Sequence, residues 1–541
     1  MIGSRVAAFL AVLWLASGCT TISRPDLTGL PQTEPARHLL YIDAEGDLID
    51  PDTRAKLAPS SDKASICSTV TSDEKKEQCE KARDRYMEQI SELQYVRAMI
   101  HFFLSKRKQN PKLEPVFHIH GGLNTFNGVV ERARLLPRYM LSDDRYPFLI
   151  GWPSGFARSY WHHLSENDRG RERNVGVRTV IGAFTFMEDI ARSIVRFPGS
   201  FYRQISNMLS VSVADQTREE RDVNARLGLL EMEGKIGIVS PPSDRGVGST
   251  YLPSILNPLG WMATPFRDGL GPGAWDAMLR QSDLVLTKTS AYQGLPTPVE
   301  WMPEDLKRIG VHPSDTAATI FLREWQSNQE TKAIPVTIIG HSMGAIVVLN
   351  LLSRHPTLRA ENIVFMGAAA RVKDVESVLT PWLAHNRLAR FYNLSLDPYN
   401  EIAERSYWDS APRGSLLIWI DDSIGTINSF RDRVVGKWWN VVRVADDLFP
   451  ANYLARMKVV NGGSEPEWKD ESVNIRSRVT LKRFAIDRSG DSGPQTHGAF
   501  DDYCFWRPSF WTSSDPQRPL FKEVRSGSED LTFKESCLHP S

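Results

Sequence analysis

The chain lacks a charge excess of either sign: its 541 residues carry 65 lysines and arginines against 65 aspartates and glutamates. Such a balance offers no polybasic face for nucleic acid or for an anionic membrane surface. Cysteine is scarce, with five in all. Cys67, Cys79, Cys504 and Cys537 lack close metal-ligand spacing, so no zinc framework is expected. Internal repeats and low-complexity tracts are missing, which argues against a solenoid or a biased linker protein. The apolar run that opens the chain, residues 6–16, is too short to span a bilayer. What remains is ordinary globular composition, 41% hydrophobic and 24% charged, with ample material for a large core.

Arg5 precedes that apolar run, and Ala16-Ser17-Gly18-Cys19 follows it. A basic start, a short apolar stretch and small residues before a cut site describe a secretory signal. Small residues fit the peptidase, and the cysteine supplies a thiol for lipid attachment. This segment resembles the bacterial lipobox. The resemblance implies a signal over 1–18, a mature chain starting at lipidated Cys19, and a polar, proline-containing tether over 19–37. Thr20 stands where an aspartate would retain a Gram-negative lipoprotein at the inner membrane. The implied location is the cell envelope, anchored in the outer membrane and facing the periplasm. Export agrees with the remaining cysteines, which are even in number and would meet an oxidising compartment. Local pairing, Cys67–Cys79 and Cys504–Cys537, is the expectation; free buried thiols are the alternative.

Residues 38–152 read as an N-terminal region and the first part of a core. A hairpin is expected over 38–49, turning on Ala44-Glu45-Gly46-Asp47. A long helix is expected over 72–107, where Tyr86, Ile90, Leu93, Val96, Met99, Ile100 and Phe103 recur at helical spacing. From Pro115 short apolar strands alternate with helices: "PVFHIHGGL", a helix over 127–141, "YPFLIGW", and later "IPVTIIGHSMGAIVVLNLL", "NIVFMGAA", a helix over 372–385, "LARFYNLSL" and "RVTLKRFAID". That rhythm predicts an α/β protein with a mostly parallel sheet flanked by helices. It breaks over 153–313, which holds one helix, over 184–209, and otherwise Gly- and Pro-rich sequence such as Asn257-Pro258-Leu259-Gly260 and residues 269–273. This length between two core strands predicts an inserted cap or lid, with 314–541 completing the core. Its apolar groups, from Trp152, Phe156, Tyr160 and Trp161 to Leu252, Leu256, Leu259, Trp261, Met262 and Phe266, would line an acyl site or form the cap's own core.

The chemistry centres on Gly340-His341-Ser342-Met343-Gly344, between an apolar strand over 336–339 and an apolar helix over 345–352. A serine between strand and helix, with glycines two before and two after, is the setting of a nucleophile elbow. The glycines let the chain double back without clashes. The helix that follows turns its N-terminus to the site and favours negative charge there. An earlier strand ends in His118-Ile119-His120-Gly121-Gly122. With these two motifs, residues 115–152 and 330–505 resemble the α/β-hydrolase superfamily in its lipase and esterase branch. The resemblance implies an oxyanion hole from the amides of Gly122 and Met343, with Leu123 as an alternative to Gly122. His120 would hold the loop. The implied order of serine, acid and histidine points to Asp397, directly after a strand, and to His497, in the loop after the last strand. Glu401, Asp421 and Asp422 are rival acids. The implied reaction is hydrolysis of a lipid or other carboxylic ester through an acyl-enzyme, without cofactor or metal. Protein partners are left open. The alternatives are a non-catalytic binding lipoprotein on a hydrolase scaffold, and an exported acyltransferase or thioesterase.

Overall fold

The computed structural model describes residues 35–60, 73–122, 124–154, 218–233, 236–243, 258–288, 302–404, 414–425, 427–453, 474–487 and 493–515, with short pieces between 186 and 205. The expected signal and most of the tether, Cys67, Leu123, Cys537 and much of the helix expected over 184–209 lie outside them. So do Phe156, Tyr160, Trp161, Leu252 and Leu256, and the side chains of Leu259, Trp261, Met262 and Phe266.

Nine strands form one sheet: β1 Leu39–Ile42, β2 Leu48–Ile49, β3 Glu114–Ile119, β4 Arg145–Gly151, β5 Gly237–Val239, β6 Val336–His341, β7 Ala360–Met366, β8 Arg390–Leu396 and β9 Val479–Phe484. Their order across the sheet is β2-β1-β4-β3-β6-β7-β8-β9-β5. β2 runs antiparallel to β1 in the expected hairpin, and every other pairing is parallel. The main helices are α1 Asp73–Gln109, α2 Phe126–Ser142, α3 Arg218–Glu233, α4 Pro258–Leu284, α5 Ala317–Ser327, α6 Gly344–Arg354 and α7 Trp438–Leu448.

Both faces of the sheet are buried, because successive strand residues point to opposite sides. Phe117 and Ile119 of β3, Ile338 of β6 and Phe365 of β7 enter a core shared with α1, α4, α5, α6 and α7. Val116, Ile339, Val364 and Leu394 enter a second core with α2 and the C-terminal residues Phe500, Phe505 and Trp511. In the first core Phe103, Tyr146, Phe148, Phe321 and Trp325 meet with ring centroids between 4.9 and 5.9 Å, the spacing of tilted and edge-on aromatic pairs. Hence the α/β class, with a mostly parallel sheet flanked by helices, is as the alternation predicts.

Charged groups tie α1 to what surrounds it. Arg85, fully buried, pairs with Glu92 at 3.0 Å and donates to the carbonyls of Pro313 at 3.0 Å and Asp315 at 2.7 Å. Buried Lys288 engages Asp47 of the hairpin and, at 3.4 Å, Glu88. Apart from Arg85–Glu92, which sit seven residues apart on α1, these partnerships are invisible in spacing, since the partners lie 200 to 241 residues apart.

Three expectations change. The region 153–313 is not wholly a cap: its β5 pairs with β9 and forms an edge of the core sheet. The Gly- and Pro-rich stretch around 258–273 is not irregular but lies within α4. Glycine and proline cost a helix about 1 and 3 kcal/mol each. Burial of Leu270, Ala274, Trp275, Ala277 and Met278 opposes that cost. Gly271 also lets α4 approach Ile424, since a Cβ there would sit 2.8 Å from Ile424 Cγ1. The helix expected over 372–385 is divided by a wide turn, Val375–Leu379, just ahead of Pro381, which has no N–H to continue a regular ladder. No helix among the described residues is long and apolar enough to cross a membrane.

Candidate active site

The parallel strands deliver their C-terminal ends to one edge of the sheet, where open α/β sheets hold their ligands. At that edge β6 gives way to Ser342, which holds a φ of +52°. Left-handed backbone is costly for a residue with a Cβ, and its natural place is a sharp functional turn. The flanking glycines are required by contact. A Cβ at Gly340 would stand 2.9 Å from Ala345 N, and one at Gly344 would stand 2.2 Å from Ile119 O. Backbone bonds hold the turn: Ser342 N–H donates to Met366 O at 2.8 Å, and Ala369 N–H donates to Ser342 O at 3.0 Å. α6 begins immediately afterwards, with its N-terminus at the site.

Ser342 Oγ lies 2.8 Å from Nε2 of His497, to which the hydroxyl can donate. The two residues are 155 apart in sequence, and both are buried. His497 opens a short helix, His497–Asp502, and its backbone is held at both ends. Its N–H donates to Glu404 Oε2 at 2.8 Å, and its carbonyl accepts from Nε2 of His341 at 3.0 Å. The other His341 nitrogen is 3.2 Å from Asp501 Oδ2. Asp501 also meets Arg132 and, at 3.5 Å, His118. Burial raises the Asp501 carboxyl, but the charges of Arg132 and His341 and bonds from His118 and His341 outweigh it and hold the group well below the usual range. Burial, reinforced by the charge of His341 and opposed by Asp501, lowers His497 to about 3. The ring rests on Gly367, where a Cβ would meet its Cε1 at 2.9 Å. Nδ1 of His497 is buried and has no hydrogen-bond partner.

The loop after β3 completes the floor. Trp152 N–H donates to Nε2 of His120 at 3.0 Å, leaving Nδ1 to bond the Gly121 carbonyl at 2.6 Å. Burial lowers His120 to about 3, so it stays neutral and acts as a brace. Gly122 packs on Met343, whose Sδ would lie 2.9 Å from a Cβ on that glycine. The two expected oxyanion residues therefore adjoin. Neither their amides nor any side chain on them makes a hydrogen bond among the described residues. No family model, curated protein or solved structure matches the chain.

The geometry of the site moves one expected residue. Asp397 follows β8 directly, but its carboxylate does not bond His497. Oδ2 accepts from Arg483 at 2.6 Å and from Ser243 Oγ at 2.7 Å, while Oδ1 accepts from Tyr399 N–H at 3.0 Å. Arg483 also donates to Ser240 Oγ at 2.9 Å and Pro241 O at 3.0 Å. Asp397 thus latches the segment after β5 to the ends of β8 and β9. A guanidinium beside a fully buried carboxylate makes a stronger charge-assisted bond than a neutral imidazole offers. Of the rivals, Glu401 bonds Ser415 and is raised by burial to about 8. Asp421 takes Val434 N–H at 2.9 Å, Asn440 at 2.7 Å and Lys437 at 3.0 Å. The carboxylate on His497 is Glu404, which sequence reasoning missed. Burial raises it to about 7, against the bond from His497 N–H and the charge of His341. Cys79 and Cys504 are each disulfide-bonded, and their expected partners Cys67 and Cys537 lie outside the described residues.

Proposed function

We propose that the protein is a serine hydrolase of the α/β-hydrolase type that cleaves a carboxylic ester, a lipid among the candidate substrates, while anchored to the envelope through Cys19. The observation that carries this reading is Ser342, at positive φ on a strand-to-helix turn, with its hydroxyl 2.8 Å from His497 Nε2. Ser342 Oγ attacks the ester carbonyl carbon and passes its proton to Nε2. The oxyanion is received by the amides of Gly122 and Met343, with the N-terminus of α6 adding favourable potential. The proton on Nε2 goes to the leaving alcohol, and water, deprotonated by the same ring, releases the acid. The lipid-anchor part rests on the sequence around Cys19.

The test is covalent labelling of the purified chain with a fluorophosphonate probe. Wild type should label, and Ser342→Ala and His497→Ala should not. A folded wild type that never labels would return the weight to a binding lipoprotein. Product analysis with and without an added alcohol separates hydrolysis from acyl transfer.

A further inference from the structure

The His497 ring poses an electrostatic problem. When Ser342 gives up its proton, the ring becomes an imidazolium in a buried site, and its Nδ1 faces no acceptor. A buried cation without a counter-charge is costly, and a base so disfavoured in its charged form accelerates little. Three of the buried carboxylates in this neighbourhood are committed elsewhere. Asp397 is held by Arg483, Ser243 and Tyr399 N–H. Asp501, whose charge only partly offsets the burial of His497, is shared among Arg132, His118 and His341. Glu401 is bonded to Ser415. Glu404, half-buried, is the one of the four that bonds His497, through Oε2 at 2.8 Å from its N–H, and among the described residues it pairs with no Lys or Arg.

We propose that Glu404 is the positioning carboxylate of His497, gripping its backbone N–H at rest and supplying the negative charge beside the imidazolium during acyl transfer. The proton balance is simple. The Ser342 proton moves to Nε2 as the oxygen bonds the carbonyl carbon, Nδ1 keeps its proton, and the Glu404 carboxylate stays ionised throughout. Glu404 ends the short helix Pro398–Ala403 that follows β8, so it reaches the histidine from the strand end where an acid is expected, seven residues beyond Asp397. His497 meets it through its backbone N–H, and the titratable groups that act on it are His341 from across the site and Glu401 from its own helix. Since burial raises Glu404 to about 7, its ionisation should appear in the rate. A lone His497, lowered to about 3, would give a rate that is flat over neutral pH.

This inference rests on the serine-hydrolase reading, and its test keeps the two apart. Labelling rates for full-length wild type, Glu404→Gln, Glu404→Asp and Asp397→Asn are followed from pH 5 to 9, with thermal melting as the check on folding. Wild-type rate should climb through roughly pH 7. Glu404→Gln keeps an acceptor for the backbone N–H but no charge, so its rate should fall by about 10²- to 10⁴-fold and lose that climb. Glu404→Asp should recover part of the rate with a displaced profile. Asp397→Asn, below its melting temperature, should keep the wild-type profile. A wild-type rate and profile in Glu404→Gln, or a climb lost in Asp397→Asn instead, overturns the assignment. If Glu404→Gln fails to fold, an unchanged profile in Glu404→Asp overturns it equally. A folded wild type that never labels overturns this inference and the hydrolase reading together.

Discussion

Ser342 concentrates the tension of the site in a single residue. Its φ of +52° is the conformation that a side chain resists, and its neighbours at 340 and 344 admit no Cβ. The left-handed region costs a residue with a Cβ roughly 1–2 kcal/mol, and glycine escapes that cost. Ser342→Gly and Ser342→Ala both lose the hydroxyl bond to His497, so the comparison isolates the backbone. Ser342→Gly should be the more stable of the two by about 1 kcal/mol in denaturant unfolding. Equal stability would mean that the turn relaxes without its serine. Ser342 and the glycines were legible because a turn this tight restricts local composition. His497 was legible as a histidine in the loop after the last strand. Glu404 was not, because nothing in local spacing distinguishes it from Glu401, three residues earlier.

At the scale of elements, α1 shows how a helix can be legible in outline and hidden in its attachments. Its apolar periodicity marks Tyr86, Val96 and Phe103, all of them buried. Arg85 and Glu92 read equally well as a solvated pair, yet both are buried and face the segment around Pro313. Breaking a buried ion pair by removing one partner strands the other charge, at about 3–5 kcal/mol. Arg85→Ala should therefore lower stability by that order. Arg85→Ala combined with Glu92→Ala should cost clearly less than the sum of the two single changes in a double-mutant cycle. Simple additivity would mean that the pair contributes little. α4 makes the converse point: its glycines and prolines argue against a helix, and only its buried contacts with Ile424 and the core explain one.

Across the whole molecule, charges buried at the sheet edge link the site to stability. Glu401 has an ordinary value of 4.5, raised by burial to about 8. The folded state therefore keeps a proton on Glu401 between those values that the unfolded chain releases. Where the folded state binds more protons, stability falls as pH rises. Glu401→Gln removes that dependence. Its melting temperature relative to wild type should thus climb from about pH 4.5 to about pH 8 and level off beyond. A constant difference across that range would show that Glu401 ionises as readily in the folded protein as in the unfolded chain. The same edge joins the inserted region to the core, since Asp397 and Arg483 bind the residues that follow β5.

By itself the sequence determined the alternation of strands and helices, the serine on its glycine-flanked turn and the histidine beyond the last strand. These follow from short-range rules: side-chain period, turn sterics and chain order. The tertiary structure alone decided which carboxylate meets the histidine, how β5 joins the sheet and where Arg85 and Lys288 find their partners. Those outcomes depend on which charges burial brings together and which of them is strongest. Arg483, one strand over from Asp397, claims that carboxylate and leaves His497 to Glu404.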